Sequence, residues 1–307
     1  MTDSISVIIP TYNYGALLPA AIESVRLQTE PAGEVIVVDD GSTDGTERLV
    51  RDQFPDVRYI RQENAGVAVA RNRGVQEASG KFVAFLDPDD LWFPWKLQFQ
   101  KEFLNRERAV FAASDAVYFS GEAPIPTQPQ SGVKVDWFSF QDLYLKNRIT
   151  TSTVVCSREE FLSLGGFDSR YKGTEDYDLW LRWAKRGPLP VQHTETTAYR
   201  VHEGSLSHRL ESMEEQVLRI LEEHASLKPT VGILTRRKAE AYLMFQTAWQ
   251  YSIQGDMHKT CSKLIQSYSR YPWPMGNLTK NCFARSRLFL AAWRRLIFGR
   301  TLAKHEN

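Results

Sequence analysis

Short apolar runs alternate with amphipathic segments through the first 90 residues of the chain. The runs with the length and branched composition of buried strands are 5–10, 34–38, 57–61 and 81–86. The segments with helical spacing between them are 16–28, 42–51 and 67–78. Alternation of this kind is typical of a mostly parallel sheet that is covered by helices on both faces. We therefore expect a Rossmann-like α/β domain.

Polar side chains directly follow three of these strands. The first run ends at Pro10 and Thr11, the second at Asp39 and Asp40, and the fourth at the sequence DPDD, residues 87–90. Ligands of open α/β sheets bind beyond the carboxyl ends of the strands. The three polar clusters should therefore meet in one crevice.

The pattern changes in the second half of the chain. From residue 112 it loosens, and 121–132 is a loop rich in Pro, Gly, Ser and Gln. Short helices are expected at 158–164 and 177–186, and beyond about 210 the sequence is helical, with an αα-hairpin over 236–253 and 257–268. We predict two domains, an α/β domain over 1–210 and an all-helical C-terminal extension over 211–307.

Composition excludes several classes of protein. The 307 residues are 42% hydrophobic and 24% charged, which is ordinary for a globular protein. The net charge of +1 argues neither for nor against a nucleic-acid partner, and we expect none. The three cysteines are far apart and form neither a disulfide framework nor a CxxC metal site. The first residues do not resemble a signal peptide, and no stretch approaches the roughly 20 apolar residues of a spanning helix. We expect a cytoplasmic protein.

The DPDD stretch places three carboxylates, Asp87, Asp89 and Asp90, at the end of a buried strand. Carboxylates would repel the phosphates of a nucleotide unless a divalent cation lay between them. Hard cations such as Mg²⁺ or Mn²⁺ take oxygen ligands and leave positions open for phosphate. A metal and nucleotide site is one interpretation, and a solvated turn that caps the next helix is the other.

Seven stretches together resemble glycosyltransferase family 2, the inverting GT-A enzymes. They stand in the order and spacing of the family and cover about the first two thirds of the chain. They are VIIPTYN (7–13), VVDDGSTDGT (37–46), ENAGVAVARNRG (63–74), FLDPDDLW (85–92), GGFD (165–168), EDYDLWLR (175–182) and YRVHEGSLS (199–207). The C-terminal third carries no part of the resemblance.

The resemblance implies roles for individual residues. Asp89 and His202 would bind the metal, Asp176 would be the catalytic base, and Glu175 would support it or contact the donor. The residues implied to bind the nucleotide sugar are Pro10, Thr11, Tyr12, Asp39, Asp40, Arg71, Asp87 and Pro88. For Asp40, capping of the turn at Gly41 is the alternative.

The implied reaction is a single displacement. A carboxylate removes a proton from an acceptor hydroxyl, whose oxygen attacks the anomeric carbon as nucleotide diphosphate leaves from the opposite face. Processive members of the family carry Gln-x-x-Arg-Trp after the base, whereas here Leu179 stands three places before Arg182. We therefore expect the enzyme to add one sugar to each acceptor. UDP is the nucleotide that the family uses most, and we expect a role in polysaccharide or glycolipid synthesis. A non-catalytic nucleotide-sugar-binding protein is the alternative.

Residues 280–304 combine basic and apolar side chains without any acidic one. The basic residues are Lys280, Arg285, Arg287, Arg294, Arg295, Arg300 and Lys304. A basic amphipathic helix can lie in the headgroup layer of an anionic membrane. Peripheral contact with the inner face of the membrane is one expectation, and packing of the helix on the αα-hairpin is the alternative.

Overall fold

The computed structural model of the chain describes residues 4–125, 132–201, 210–227, 229–279 and 283–298. Two compact units are present, Met1–Phe140 with Arg148–His208, and Gln141–Asn147 with Arg209–Asn307. Nothing in the sequence pattern indicates that residues 141–147 belong with the second unit. The division of the sequence at residue 210 stays a prediction.

The first unit is built on one mixed sheet flanked by helices. The nine strands found in the described residues are β1 Ile5–Thr11, β2 Glu34–Asp39, β3 Arg58–Arg61, β4 Phe82–Phe85, β5 Leu91–Trp92, β6 Phe111–Phe119, β7 Val135–Phe138, β8 Val155–Ser157 and β9 Leu189–Arg200. Their order is β3-β2-β1-β4-β8-β6-β9-β5, with β7 paired to β9. The helices of this unit are α1 Leu18–Arg26, α2 Thr46–Gln53, α3 Val67–Glu77, α4 Lys96–Glu107, α6 Arg158–Ser163 and α7 Glu175–Ala184, whereas α5 Phe140–Leu145 lies almost wholly in the second unit. The predicted α/β class is confirmed.

The central strands align the polar clusters. Strand β1 is buried at every position and pairs in parallel with β2 and β4, as continuous apolar strands covered on both faces do. Thr11 is the register partner of Asp39, so the ends of β1 and β2 lie side by side. Because β4 ends at Phe85, the DPDD loop begins beside them. The three clusters lie at one edge of the sheet.

Helix α2 begins at Thr46, four residues later than predicted. Residues 42–45 are instead a connection tied to the end of β1. Asn13, which has a positive φ of 59°, donates its backbone N–H to Ser42 Oγ at 2.8 Å, and its Oδ1 accepts the N–H of Thr43 at 2.7 Å. These bonds hold the segment after β2 against the segment after β1.

The second half of the sheet contains strands that the sequence pattern does not reveal. Strands β6 and β9 run parallel to each other, while β8 is antiparallel to both β4 and β6. The strand β9 carries the polar sequence QHTETT in its middle, so it lacks the apolar run of β1. Parallel β6 and β9 add a second pair of carboxyl ends to the sheet.

The second unit is helical. Its helices are α8 Leu210–Ser226, α9 Ile233–Ile253, α10 Met257–Arg270 and α11 Ala284–Phe298. Asp256 caps α10 by accepting the N–H of Lys259 at 2.9 Å, which closes the predicted hairpin. Its core includes Phe245, Leu264 and Leu288. Within the described residues, no helix is long and apolar enough to cross a membrane.

Candidate functional site

The DPDD loop is anchored by its last carboxylate. Asp90 is buried, and its two oxygens accept from the backbone N–H of Arg200 at 2.9 Å and from the Ser152 hydroxyl at 2.6 Å. Burial raises the pKa of Asp90 well above its usual value, and the charges of Asp87 and Asp89 raise it further. Both of its oxygens are engaged within the protein, so Asp90 holds the loop in place.

Ser152 organises the same loop from the short 3-10 helix Thr151–Thr153. Its hydroxyl accepts the N–H of Asp87 at 3.1 Å while donating to Asp90. Its carbonyl accepts from Trp92 Nε1 at 2.8 Å and from Thr197 Oγ1 at 3.2 Å. This residue was missed by the sequence analysis, because one serine in a run of hydroxyl residues carries no local signal.

Asp87 and Asp89 remain partly exposed at the mouth of the crevice. Their negative charge extends to Tyr14, whose pKa rises to about 12, first through burial and then through the charges of Asp89, Asp87 and Asp90. Concentrated negative charge on carboxylate oxygens is the donor chemistry that Mg²⁺ and Mn²⁺ prefer.

Asp89 is suited to bind a divalent cation that has only one or two ligands from the protein. In the parts of the chain that the structure describes, no group of three or more His, Cys, Asp or Glu side chains is arranged to hold a metal ion. The predicted second ligand, His202, lies outside the described residues. Magnesium commonly binds through one or two carboxylates together with substrate phosphates, and Asp89 suits that mode.

The predicted nucleoside residues lie at the ends of β1 and β2. Thr11 is buried, and its Oγ1 has no hydrogen-bond partner among the residues that the structure describes. Pro10 is buried beside it, and Tyr12 is exposed at the rim. A buried hydroxyl without a partner is costly, so a ligand atom that bonds to it would be favoured. Asp39 is fully buried and accepts from the Ser42 N–H at 2.7 Å and from the Tyr59 hydroxyl.

The Asp40 carboxylate holds the segment that precedes α3. One oxygen accepts from Gln62 Nε2 at 2.7 Å and from the Ala65 N–H at 2.9 Å, and the other accepts the Gly66 N–H at 2.7 Å. Asp40 therefore has a structural role, but the segment that it holds lies directly before α3 and is not the turn at Gly41.

Arg71, on α3, joins the DPDD loop to the predicted base region. Its Nη2 donates to Asp87 Oδ1 at 2.5 Å and its Nη1 to Glu175 Oε1 at 2.6 Å. Burial acts to lower the pKa of this guanidinium, but the carboxylates of Asp87 and Glu175 outweigh it and raise the pKa above the usual value. Arg71 is therefore a fixed cation between two carboxylates.

The GGFD stretch positions this arginine. Asn72 Nδ2 donates to the carbonyl of Phe167 at 2.7 Å, and the N–H of Phe167 donates to Asn72 Oδ1 at 2.9 Å. The Phe167 ring lies under the guanidinium of Arg71, 5.4 Å from its carbon to the ring centre. Gly166 has a φ of +69°, and a Cβ there would come within 2.5 Å of Asn72 Oδ1, so only glycine fits.

Asp176 lies in the first turn of α7. Its oxygens accept the N–H of Tyr177 at 2.7 Å and the hydroxyl of Thr151 at 3.1 Å. Burial and the neighbouring charge of Glu175 raise its pKa to about 7, although Arg71 acts in the opposite direction. A carboxylate with a pKa near neutral is suited to general base catalysis at physiological pH.

Glu175 is used differently from its neighbour. It is buried, and its two oxygens accept from Arg71 and from the Gly173 N–H at 2.7 Å. With both oxygens engaged inside the protein, Glu175 positions Arg71 and charges the surroundings of Asp176. Thr151, next to Ser152, is the second contact that the sequence analysis did not anticipate.

Comparison with solved structures shows the fold. The structure of S. aureus TarS 1–349 in complex with UDP-GlcNAc aligns with a TM-score of 0.62 and 18% identity, over 97% of this chain and 93% of that chain. The mannosyltransferase PcManGT from Pyrobaculum calidifontis, in complex with GDP-Man and Mn²⁺, aligns with a TM-score of 0.60 and 20% identity, over 96% and 88%. The likeness confirms the predicted GT-A fold.

Comparison of sequences shows the family. A model of glycosyl transferase family 2 matches residues 6–161. An uncharacterized glycosyltransferase of Rickettsia typhi is 30% identical over 87% of this chain and 80% of that protein. The UDP-Glc:α-D-GlcNAc-diphosphoundecaprenol β-1,3-glucosyltransferase of Escherichia coli is 32% identical over 67% and 80%. The chain spans 64% or less of four other rickettsial glycosyltransferases. This chain is a transferase and belongs to glycosyltransferase family 2.

Proposed function

We propose that this enzyme is a metal-dependent, inverting glycosyltransferase that moves one sugar from a nucleotide-diphosphate sugar to a hydroxyl acceptor. One observation carries the proposal. Arg71 bonds to Asp87 in the DPDD loop and to Glu175 beside Asp176, so the predicted donor site and the predicted base share one charged network. Such a network would hold donor and acceptor in register for a displacement.

The residues divide the work as follows. Thr11 and Asp39 would hold the nucleoside, with Tyr12 at the rim, and Asp87 would contact the ribose or the donor sugar. Asp176 would take the proton of the acceptor hydroxyl as its oxygen attacks the anomeric carbon. The bond from that carbon to the nucleotide diphosphate would break on the opposite face, so this single displacement would invert the anomeric centre. A divalent cation at Asp89, when bound, would offset the charge of the diphosphate.

We propose a UDP-sugar as the donor and a lipid-linked glycan as the acceptor, in polysaccharide or glycolipid synthesis. The E. coli relative is named for UDP-Glc and for a diphosphoundecaprenol acceptor, and the S. aureus structure contains UDP-GlcNAc. The structure with GDP-Man makes GDP the competing nucleotide.

Peripheral membrane contact through α11 is part of the same proposal. Leu290 and Trp293 on one face of this helix are 53% and 49% exposed, and Phe283, directly before the helix, is 60% exposed. Arg287 and Arg294 are exposed among them. Apolar side chains flanked by arginine suit an anionic headgroup layer.

The alternative for this segment, packing on the αα-hairpin, applies to the other face of α11. Leu288 and Ala292 are buried on that face, and α11 contacts α10. Arg285 is also buried and donates to the carbonyl of Tyr271 at 2.7 Å, so this cation is unavailable to lipid. Both expectations can hold, each for one face.

The purified protein should be screened with UDP-, GDP- and dTDP-sugars, with Mn²⁺ and with EDTA. Thermal stabilisation and hydrolysis of the donor by water are the measurements, since a ligand that binds only the folded state raises Tm. We expect both signals with a UDP-sugar and Mn²⁺. Binding of a donor without hydrolysis of any donor would favour the non-catalytic alternative, and absence of any binding would contradict the proposal.

A further inference from the structure

Two tyrosines, Tyr118 exposed and Tyr199 half-buried, form an aromatic pair at the carboxyl ends of β6 and β9. Tyr118 and Tyr199 are register partners in the parallel pairing of these strands. Their ring centres lie 5.2 Å apart with the planes at 53°. Tyr118 is 64% exposed, although it belongs to a regular strand of the sheet. Two rings held at this distance form a firm, amphipathic surface.

The alternation of side chains along the strands places this pair on the crevice side. Val117 and Ala198 belong to a small apolar cluster with Phe93 and Phe119 on one face of the sheet. Tyr118 and Tyr199 therefore face the other way, as does Thr197, two residues before Tyr199. The Thr197 hydroxyl donates to the carbonyl of Ser152. The hydroxyl of the same serine accepts the N–H of Asp87 in the DPDD loop.

The electrostatics agree with this position. Burial raises the pKa of Tyr199, and the charges of Asp90, Asp87 and Asp89 raise it further. The backbone N–H of Arg200, the residue after Tyr199, donates to Asp90 Oδ1 at 2.9 Å, so the tyrosine pair lies beside the carboxylates of the DPDD loop.

The order of strands separates the pair from the nucleoside residues. Thr11 and Asp39 lie on β1 and β2, on one side of β4, whereas β6 and β9 lie on the other side. The DPDD loop, which follows β4, stands between the two sets. A donor held by Thr11 and Asp39 would place its sugar at the DPDD loop, so the tyrosines lie beyond it.

From this geometry we infer that Tyr118 and Tyr199 form a binding site for a sugar ring of the acceptor. The inference rests on the proposed function, because it takes the β1–β2 side as the donor side. The C–H face of a pyranose ring carries slight positive charge and packs against the negative face of an aromatic ring. Tyr118 offers its exposed ring for such a contact, and Tyr199 supports it.

Saturation-transfer NMR can test the site with five methyl glycosides, those of glucose, galactose, mannose, N-acetylglucosamine and rhamnose. Each is measured with UDP and Mn²⁺ and again without nucleotide. Tyr118→Ala should weaken sugar binding by about fivefold, in line with one aromatic contact, while Tyr118→Phe should retain it. Trp137→Ala, which removes another exposed aromatic side chain of the sheet, is the matched control and should behave as wild type.

The outcomes separate this inference from the proposed function. Equal sugar signals in wild type and Tyr118→Ala, or no signal from any of the five glycosides in wild type, would overturn it. If calorimetry shows that Tyr118→Ala weakens UDP-glucose but not UDP, the pair holds the donor sugar and the acceptor assignment is wrong. A wild-type protein that does not bind UDP would contradict the proposed UDP-sugar donor and not the tyrosine site, because the nucleotide-free sugar measurements still decide the site.

Discussion

Arg71 and Glu175 form a buried ion pair, with 2.6 Å between Nη1 of the guanidinium and Oε1 of the carboxylate. The two side chains are 6% and 5% exposed. A buried ion pair does not by itself show that the folded state is stabilised, because burial of the two charges costs free energy. Removal of one member, however, leaves the other charge buried without a partner, which is strongly destabilising. The pair is therefore a sensitive point for both folding and function.

Arg71→Met should lower the free energy of unfolding by about 3–5 kcal/mol, because Glu175 would remain charged and buried without its partner. Urea denaturation measures the change. Arg58→Met is the matched control, since Arg58 pairs with Glu77 on the surface and such pairs contribute about 0–1 kcal/mol. Adding Glu175→Gln to Arg71→Met should recover part of the loss. Equal small effects of the two arginine variants would contradict the prediction.

The rate of donor hydrolysis should follow the ionisation of Asp176. Because this carboxyl has a pKa of about 7 and a base acts only when ionised, kcat/KM should fall tenfold per pH unit below pH 7 and level off above it. Asp176→Asn should reduce kcat by about 10²- to 10⁴-fold and leave the donor KM nearly unchanged. The measurement is a pH–rate profile with UDP-sugar.

Glu175→Gln serves as the comparison for that experiment. It should affect stability and the pH profile, since it removes the charge that raises the pKa of Asp176. We would reassign the base to Glu175 if Asp176→Asn kept more than about a tenth of the wild-type kcat while Glu175→Gln lost nearly all of it.

Asp89→Asn should remove the effect of Mn²⁺ on donor binding. The substitution keeps the shape of the side chain and deletes the charge that a hard cation requires. Calorimetry with a UDP-sugar should show equal, weak binding of wild type and variant in EDTA, and a gain with Mn²⁺ only for wild type. Asp52→Asn, on the exposed face of α2, is the control. A variant with a normal response to Mn²⁺ would exclude Asp89 as a ligand.

Ser152→Ala should lower the free energy of unfolding by about 1–3 kcal/mol, because Asp90 Oδ2 and the Asp87 N–H both lose the bond that the Ser152 hydroxyl makes to them. It should also raise the KM for the donor, since the DPDD loop loses an anchor. Ser252→Ala, which removes an exposed hydroxyl from α9, is the control and should change stability little. Equal stability of both variants in urea would show that the hydroxyl of Ser152 is dispensable.

Reversal of two charges on α11 should abolish binding to anionic liposomes. Arg287→Glu with Arg294→Glu replaces attraction of about 1 kcal/mol per charge by repulsion. Flotation with phosphatidylserine vesicles measures the fraction of protein that binds to the anionic membrane. Flotation with neutral vesicles measures the binding that does not depend on charge. Arg48→Glu with Arg106→Glu, both on the surface of the first unit, is the control. Equal recovery of all three proteins would rule out this surface.

The first half of the fold could be predicted because its central strands are apolar throughout. Strands β1, β2 and β4 are buried at nearly every position, so each appears as a continuous run in the sequence. Strand β9 could not be predicted in the same way, since its middle is polar and partly exposed. Its position depends on pairing with β6, which is a tertiary relationship.

The candidate site could likewise be predicted only in part from the sequence. The charged residues stand in recognisable motifs at strand ends, and the structure brings Arg71, Asp87 and Glu175 into direct contact. The contacts of Thr151 and Ser152 arise because a 3-10 turn from another part of the chain lies against the DPDD loop and α7. No spacing rule in the sequence predicts such contacts.

The bonds between Asn72 and Phe167 bear on the order in which the protein folds. They join residues 95 positions apart, and the neighbouring ion pair of Arg71 spans 104. Contacts between residues so far apart in sequence form slowly, because the chain between them must lose conformational entropy before the contact contributes any stabilisation. On a ribosome, β1 to β4 can pair long before Phe167 is synthesised. We therefore expect the crevice to acquire its catalytic geometry late in folding, after the parallel sheet has formed.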